Sequence, residues 1–458
     1  MSRRVSPILP AGFRDLGSED MILKRHILSI VQQVFERYGF EPFSSSGVQF
    51  LDVLFGKDHE TEMSFFQLWN TRHDLKAGNA ELALKFDQTV PLGRYVAANY
   101  EALPKPYARY EIGEAFRGES PGEGRYCGFT QCDADLVFAP GMISDAQIIT
   151  LMDECMRALG VSTHKILLNN RKILGCLPGY IGFAKRYLRD VLTIIDKRGR
   201  FLPGETLTSE LAKLTTESGQ KLLSAKKIEK LVDFCIISGS ASERFESIRV
   251  LMVQTDELDQ GIKELEEVLR YLKLFGVDED RVQFDQAMVR GLGYYTGPIF
   301  EVILTDSPET GSVFGGGRYD DLVLRFVRMP APATGAAFGI DRFLVYAKKR
   351  GLFDLPKSVV KVLVGYRPAP ECLARAIEVT RMLREQGINT LLYDGPDKAV
   401  RGQLGRADKS GIPVVVIIGE SEVSSGLLQV KRMSNKEERS FPMQLRNLVT
   451  FIRTGIKP

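Results

Sequence analysis

Apolar positions change their period several times along the chain, and each change marks an element. Ile22, Leu23, Ile27, Ile30, Val31 and Val34 recur at helical steps, which predicts a helix over 19–38 with one buried face. Residues 82–90 alternate apolar and polar, predicting a strand that puts Lys85, Asp87 and Thr89 on one face. Residues 108–117 and 125–138 read as two strands joined by the turn Ser120-Pro-Gly-Glu-Gly124, an antiparallel hairpin. On the second strand Arg125, Phe129, Gln131, Asp133 and Asp135 share a face. One aromatic ring among polar groups suits a ligand-binding face; a solvated face is the alternative.

After Asn169-Asn-Arg171 the pattern turns helical, with Lys, Glu and Leu at helix spacing through about 180–280, which reads as a helical insertion. Strand-like segments resume at 283–303. The stretch Gly351-Leu-Phe-Asp-Leu-Pro356 reads as a linker. Beyond it, Val360-Lys-Val-Leu-Val-Gly365 predicts a buried strand, followed by a helix at about 370–386. A second buried strand, Pro413-Val-Val-Val-Ile-Ile-Gly419, and a last helix at 443–454 complete the chain. Strands alternating with helices predict a small α/β domain. The expected organisation is residues 1–350, a linker at 351–359, and a second domain at 360–458.

Composition sharpens this picture. At 458 residues the chain exceeds a single core, and 44% hydrophobic with 26% charged residues is ordinary for a soluble globular protein. No apolar run approaches the roughly 20 residues that span a bilayer, and the N-terminus has no apolar stretch of a signal peptide. The six cysteines include no Cys-x-x-Cys pair, which fits reduced thiols in a cytoplasmic setting better than a structural zinc. The net charge of +3 is uneven: residues 360–458 hold 16 Lys+Arg against 10 Asp+Glu, a balance of +6. A basic C-terminal module is compatible with a nucleic-acid partner, although a solvated surface explains the imbalance too.

The chemistry concentrates in two segments, Arg290-Gly-Leu-Gly-Tyr-Tyr-Thr-Gly297 and Gly315-Gly-Gly-Arg-Tyr-Asp-Asp321, followed by a third glycine-rich run at 334–342. Glycine lets backbone approach a ligand, arginine offers a planar fork to phosphate or carboxylate, and paired tyrosines give flat walls with polar tips. Together they suggest a pocket for a small, planar, charged ligand; two glycine-rich hairpins with solvated arginines are the bland alternative. The four histidines, His26, His59, His73 and His164, all lie outside these segments, and His164 precedes an apolar run that suits a structural role. A histidine nucleophile or general base is therefore not expected. The chain has no Gly-x-x-x-x-Gly-Lys phosphate loop.

With those residues in view the chain resembles the histidyl-tRNA synthetases, a family of class II aminoacyl-tRNA synthetases, almost end to end from Leu9-Pro-Ala-Gly-Phe-Arg-Asp15. Val289–Gly297 and Phe314–Leu322 look like the family's histidine signatures, which sibling class II synthetases lack. Phe116-Arg-Gly-Glu119 with Gly124–Gln131 is similar to class II motif 2, and Gly335–Arg342 to motif 3. Residues 397–420 look like part of the family's anticodon-binding domain. The resemblance implies an α+β fold: a catalytic domain with an antiparallel sheet and flanking helices, a helical insertion, and a C-terminal α/β anticodon-binding domain. It implies ATP as substrate with magnesium, histidine and tRNA(His) as partners, a homodimer, a cytoplasmic location and no membrane. The ligands of the magnesium are left open.

The same resemblance implies residue roles. Arg117 and Arg290 would grip the α-phosphate and the substrate carboxylate, and Arg125 and Arg342 the outer phosphates. Phe129 would stack on adenine with Glu119 nearby. Asp87, Thr89 and Gln131 would receive the α-amino group, while Asp135, Tyr294 and Tyr295 would line the imidazole pocket. Four places depart from the family pattern: Gly293 for an acidic residue, Ser46 for the motif 1 proline, Lys85 for arginine, and Cys127-Gly128 for a more polar pair. The competing expectations are a non-catalytic paralogue (the regulatory subunit of ATP phosphoribosyltransferase, or an RNA-sensing pseudo-synthetase) and another class II synthetase. The first generally lacks the C-terminal domain and erodes the ATP-gripping arginines, and the last lacks the tyrosine signature.

Overall fold

The computed structural model describes residues 5–55, 65–69, 81–197, 205–290, 293–442 and 445–454. His59, His73, Gly291, Leu292 and the first residues of the expected last helix lie outside them. The chain divides into two compact units, residues 1–14 with 27–352, and residues 15–26 with 353–458.

The first unit is built on an eight-stranded sheet with a three-stranded sheet beside it in sequence. In chain order come α1 (Ser18–Arg37), whose residues from Ile27 onward belong to this unit, β1 (Glu41–Pro42), β2 (Val48–Phe50), β3 (Gln67–Leu68), β4 (Leu82–Leu84), α2 (Thr89–Ala98), β5 (Tyr107–Phe116) and β6 (Gly128–Val137). There follow α3 (Met142–Ala158), β7 (His164–Asn170), α4 (Asp256–Leu274), β8 (Val282–Phe284), β9 (Pro298–Leu304), β10 (Ser312–Arg318), β11 (Ala333–Gly339) and α5 (Ile340–Arg350). The large sheet runs β1-β5-β6-β11-β10-β9-β7-β8. Its six inner strands pair antiparallel, with a parallel strand at each edge. Between β7 and α4 the chain forms helices, among them Leu188–Asp196, Ala225–Ile236 and Ala241–Leu251. α4, at the end of the expected insertion, packs against α3 and β7.

Register decides what each face of the sheet carries. Asp135 pairs with Arg109 on one side and Gly335 on the other; Asp133 pairs with Glu111 and Ala337; Gly315 pairs with Ala337 and Glu301. Because side chains alternate, these residues all project from one face. Among the intervening positions Phe300, Phe314 and Phe338 are fully buried. One face is thus oily and structural, and the other is charged with glycines and alanines at its centre.

Two local expectations need correction. The strand predicted over 82–90 stops at Leu84, and Thr89 already opens α2. Lys85 therefore does not share a face with Asp87: it is buried against Glu111 at 2.7 Å and Ser45 at 3.0 Å. The strand-like stretch at 283–303 is two strands, β8 and β9, separated by non-strand residues that carry the Arg290 segment. His164 is structural, as expected, its ring nitrogens facing Asp153 at 2.8 Å and the carbonyl of Val161 at 3.1 Å.

The second unit carries a five-stranded sheet of order β13-β12-β14-β15-β16: β12 (Val362–Tyr366), β13 (Thr390–Leu392), β14 (Val414–Ile418), β15 (Leu427–Arg432) and β16 (Glu438–Pro442). β12, β13 and β14 are parallel, and α6 (Pro370–Glu385) and α7 (Val400–Lys409) connect them. Parallel strands covered by crossover helices read as continuous apolar runs, which is why Val414–Ile418 was legible.

Candidate active site

A cleft of about 710 Å³ lies over the charged face of the large sheet, and all twelve residues singled out in the sequence line it. Its floor is the centre of the sheet. A Cβ on Gly335 would stand 2.0 Å from the Asp135 carboxylate, and one on Gly315 would stand 2.0 Å from the guanidinium of Arg290. The glycine-rich segments are therefore floor strands, bare because acidic and basic side chains lie flat across them.

One end of the cleft is acidic and aromatic. Asp87, at the start of α2, accepts the N–H of Val90 at 3.1 Å and the hydroxyl of Tyr294 at 3.2 Å. Tyr294 packs against Tyr295 and Tyr319, with ring centroids at 4.9 and 5.8 Å. Tyr319 donates its hydroxyl to Asp135, whose other oxygen pairs with Arg109 at 2.9 Å. Arg109 has no exposed side-chain surface and also faces Glu111 at 3.5 Å, which in turn holds Lys85. Burial raises the pKa of Asp87, Asp133 and Asp135; Arg109 opposes this at Asp135, and the Asp135 charge adds to it at Asp133. Gln131 reaches toward Asp133 at 3.5 Å. The side-chain oxygen of Gln131 is buried without a hydrogen-bond partner among the described residues. Such a group is suited to meet a ligand.

The other end is cationic. Arg117 donates to the carbonyl of Phe86 at 3.0 Å and lies 4.9 Å from the ring of Phe129. Arg290 pairs with Glu301 at 3.0 Å; burial works against its charge, but Glu301 and Tyr295 outweigh that and raise its pKa. Arg342 donates to the carbonyl of Ser312 at 2.9 Å. Its pKa falls to about 10, through burial first and then the neighbouring charges of Arg125 and Arg290. A cation lowered by its cationic neighbours is poised for a polyanion. Glu119 and Arg125 line this end as well.

Sequence comparison places this geometry. The family model described as histidyl-tRNA synthetase matches residues 12–343, and that of an anticodon binding domain matches 358–454. The chain belongs to the histidyl-tRNA synthetase family. It is 35% identical over 444 residues to the histidine–tRNA ligase of Aeropyrum pernix, covering 95% of this chain and 96% of that one. It is 32% identical over 448 residues to that of Cytophaga hutchinsonii, covering 94% and 96%. The crystal structure of histidyl-tRNA synthetase from Nostoc sp. PCC 7120 superposes with a TM-score of 0.77 at 28% identity, covering 99% of this chain and all of that one. The fold is the α+β fold of class II synthetases.

For a histidyl-tRNA synthetase family member, four placements were not foreseen. Arg318, in the second glycine-rich segment, is not a pocket arginine. It points to the opposite face, buried against Asp145, Asp320 and the carbonyls of Ala139 and Gly141. Tyr319 and Glu301 line the cleft instead. Alternation along Gly315, Gly317 and Tyr319 carried that signal, since it puts Arg318 out of phase with the floor. Arg109 had no local signal, because only register brings it beside Asp135. Of the departures, Ser46 caps its own turn through Val48, Gly293 is exposed, and Cys127-Gly128 is taken up below.

Proposed function

We propose that the protein is a histidine–tRNA ligase that forms histidyl-adenylate from histidine and ATP and passes the histidyl group to tRNA(His). The observation that carries this is the polarity of one cleft: three carboxylates and three tyrosines at one end, four arginines at the other. The acidic end suits an α-amino group and an imidazole, and the cationic end suits a triphosphate. Between them a carboxylate oxygen of histidine attacks the α-phosphorus, the bond to the β-phosphate oxygen breaks, and pyrophosphate leaves. The nucleophile is already an anion, so no protein base is required, and catalysis reduces to alignment and charge stabilisation. A terminal ribose hydroxyl of the tRNA then displaces AMP.

In this reading Arg117 and Arg290 hold the α-phosphate and the substrate carboxylate, while Arg125 and Arg342 hold the outer phosphates. Phe129 and Glu119 receive adenine. Asp87, Thr89 and Gln131 receive the α-amino group. Asp135, Tyr294 and Tyr295 read the imidazole, and Tyr319 joins them. Magnesium, when bound, would be held chiefly by substrate phosphates, with carboxylates lining the cleft available to complete its shell. The ion would neutralise charge on the leaving pyrophosphate. Residues 360–458 serve as the anticodon reader, and the working form is a cytoplasmic homodimer. No helix among the described residues is long and apolar enough to cross a membrane.

The deciding experiment is exchange of labelled pyrophosphate into ATP by the purified chain, which should require histidine; exchange absent, or indifferent to the amino acid added, would reject the reading. A sharper test uses the floor. Gly315→Ala places a methyl where the Arg290 guanidinium lies, on a strand paired on both sides. Overpacking of about 1–3 kcal/mol at this contact should slow exchange by roughly five- to 150-fold. An exchange rate equal to that of the parent would show that Arg290 works elsewhere.

A further inference from the structure

Pro10–Arg14 carries none of the ligand-binding roles assigned so far, yet it folds onto the cationic end of the cleft. The N–H of Phe13 returns to the carbonyl of Pro10 at 3.1 Å, closing a turn. Gly12, at φ +84°, lets its carbonyl accept the N–H of Cys127 at 2.7 Å. A side chain at Gly12 would stand 2.3 Å from the Cys127 sulfur, so only glycine fits. Phe13 lies against Gly128, where a Cβ would come within 3.1 Å of its ring. The guanidinium of Arg14 sits 3.8 Å from the ring centre of Tyr126 and pairs with Asp341. The second oxygen of Asp341 accepts the N–H of Thr130 at 2.9 Å.

Three of these anchors, Tyr126, Cys127 and Asp341, are each joined to a phosphate-gripping arginine. Tyr126 follows Arg125, and Asp341 precedes Arg342. Cys127, held by Gly12, accepts through its own carbonyl the backbone N–H of Arg117 at 2.8 Å. The small pair Cys127-Gly128, a departure from the family pattern, is thus the seat of this segment. Arg125 sits in the loop between β5 and β6, whereas Arg342 rides on α5. Their like charges repel, which is part of why burial and Arg125 depress the Arg342 pKa. Holding them at the spacing of a triphosphate before ATP arrives needs a tie between loop and helix. Arg14 is that tie, bound to an aromatic face on one element and a carboxylate on the other.

We propose that Pro10–Arg14 is a positioning element of the nucleotide site and that Arg14 is the positioning residue that sets Arg125 against Arg342. This rests on the reading of the cleft as an ATP site. The test uses the full-length chain and the variants Arg14→Ala, Arg14→Lys and Gly12→Ala. KM for ATP, KM for histidine, kcat in pyrophosphate exchange and the melting temperature are measured for each. Misplacing arginines by a fraction of an ångström should raise KM for ATP roughly tenfold in Arg14→Ala and leave KM for histidine within about twofold. Arg14→Lys keeps the ion pair but loses the flat stack, and should fall between Arg14→Ala and the parent. Gly12→Ala should reproduce the ATP-selective loss from a different atom. An unchanged KM for ATP in an active Arg14→Ala overturns the positioning role alone. So does an equal rise of both KM values with a lowered melting temperature, which would mark a purely structural contact. A parent chain without histidine-dependent exchange overturns the ligase reading and this proposal with it.

Discussion

Arg290→Ala is expected to abolish adenylate formation while the fold stays intact. The side chain lies over the Gly315 floor at the cationic end of the cleft, held by Glu301 at 3.0 Å. A charge-assisted contact that tightens as negative charge builds at phosphorus is worth about 2–4 kcal/mol, or roughly a thirty- to thousandfold loss of rate. The loss should fall on kcat, because the contact is made mainly in the transition state. Glu301 complicates the ground state, since truncating Arg290 leaves that carboxylate without its partner beside incoming phosphates. Glu301→Gln in the Arg290→Ala background should recover part of the ATP affinity without recovering kcat. Near-normal pyrophosphate exchange by Arg290→Ala would remove this residue from the reaction.

The second large effect is expected at Asp135, and it should be selective. Asp135 carries Tyr319 on one oxygen and the buried Arg109 on the other. Arg109 counters the burial that raises the Asp135 pKa, and so favours an anionic acceptor at the floor of the imidazole pocket. Asp135→Ala removes a charged hydrogen-bond acceptor worth about 1.5–3 kcal/mol, a roughly tenfold to 150-fold loss in kcat/KM for histidine. KM for ATP should barely move. The same change leaves Arg109 without Asp135 in the interior, and breaking a buried pair costs about 3–5 kcal/mol of stability. Asp135→Asn, which keeps the shape and one acceptor oxygen, separates the two effects: it should melt closer to the parent than Asp135→Ala and still discriminate poorly for histidine. Equal losses for histidine and ATP in Asp135→Asn would count against a role in reading the imidazole.

Much of the cleft lining could be read along the chain because strand alternation is a local property. Phe129, Gln131 and Asp135 were placed on one face by counting in twos, and the cleft does collect them; Arg125, counted on the same strand, instead reaches the cleft from the loop before β6, which begins only at Gly128. Asp87 and Thr89 reached the cleft by a different route, as the loop residue and first helical residue after β4. The predicted strand was wrong there, because an apolar–polar alternation of nine residues also fits a short strand running into a helix. Lys85 shows the consequence: out of the strand, it turns to Glu111 and away from the ligand.

The sequence by itself determined most of the elements and which short segments hold the chemistry, since propensity and period depend only on near neighbours along the chain; the α+β class and the family followed from the resemblance that its motifs carry. Register decided the rest. Pairing of β5 with β6 set Arg109 beside Asp135, 26 residues apart, and pairing of β10 with β9 and β11 made Gly315 a platform for Arg290. A shift of one residue would have sent every one of these side chains to the oily face. Arg318 and Tyr319, adjacent in one motif, were divided between the buried core and the cleft by that rule alone. The placement of Gly12 and Arg14 against residues more than a hundred positions away was likewise invisible in the chain, because only the folded backbone brings a turn, a loop and the start of a helix to one point.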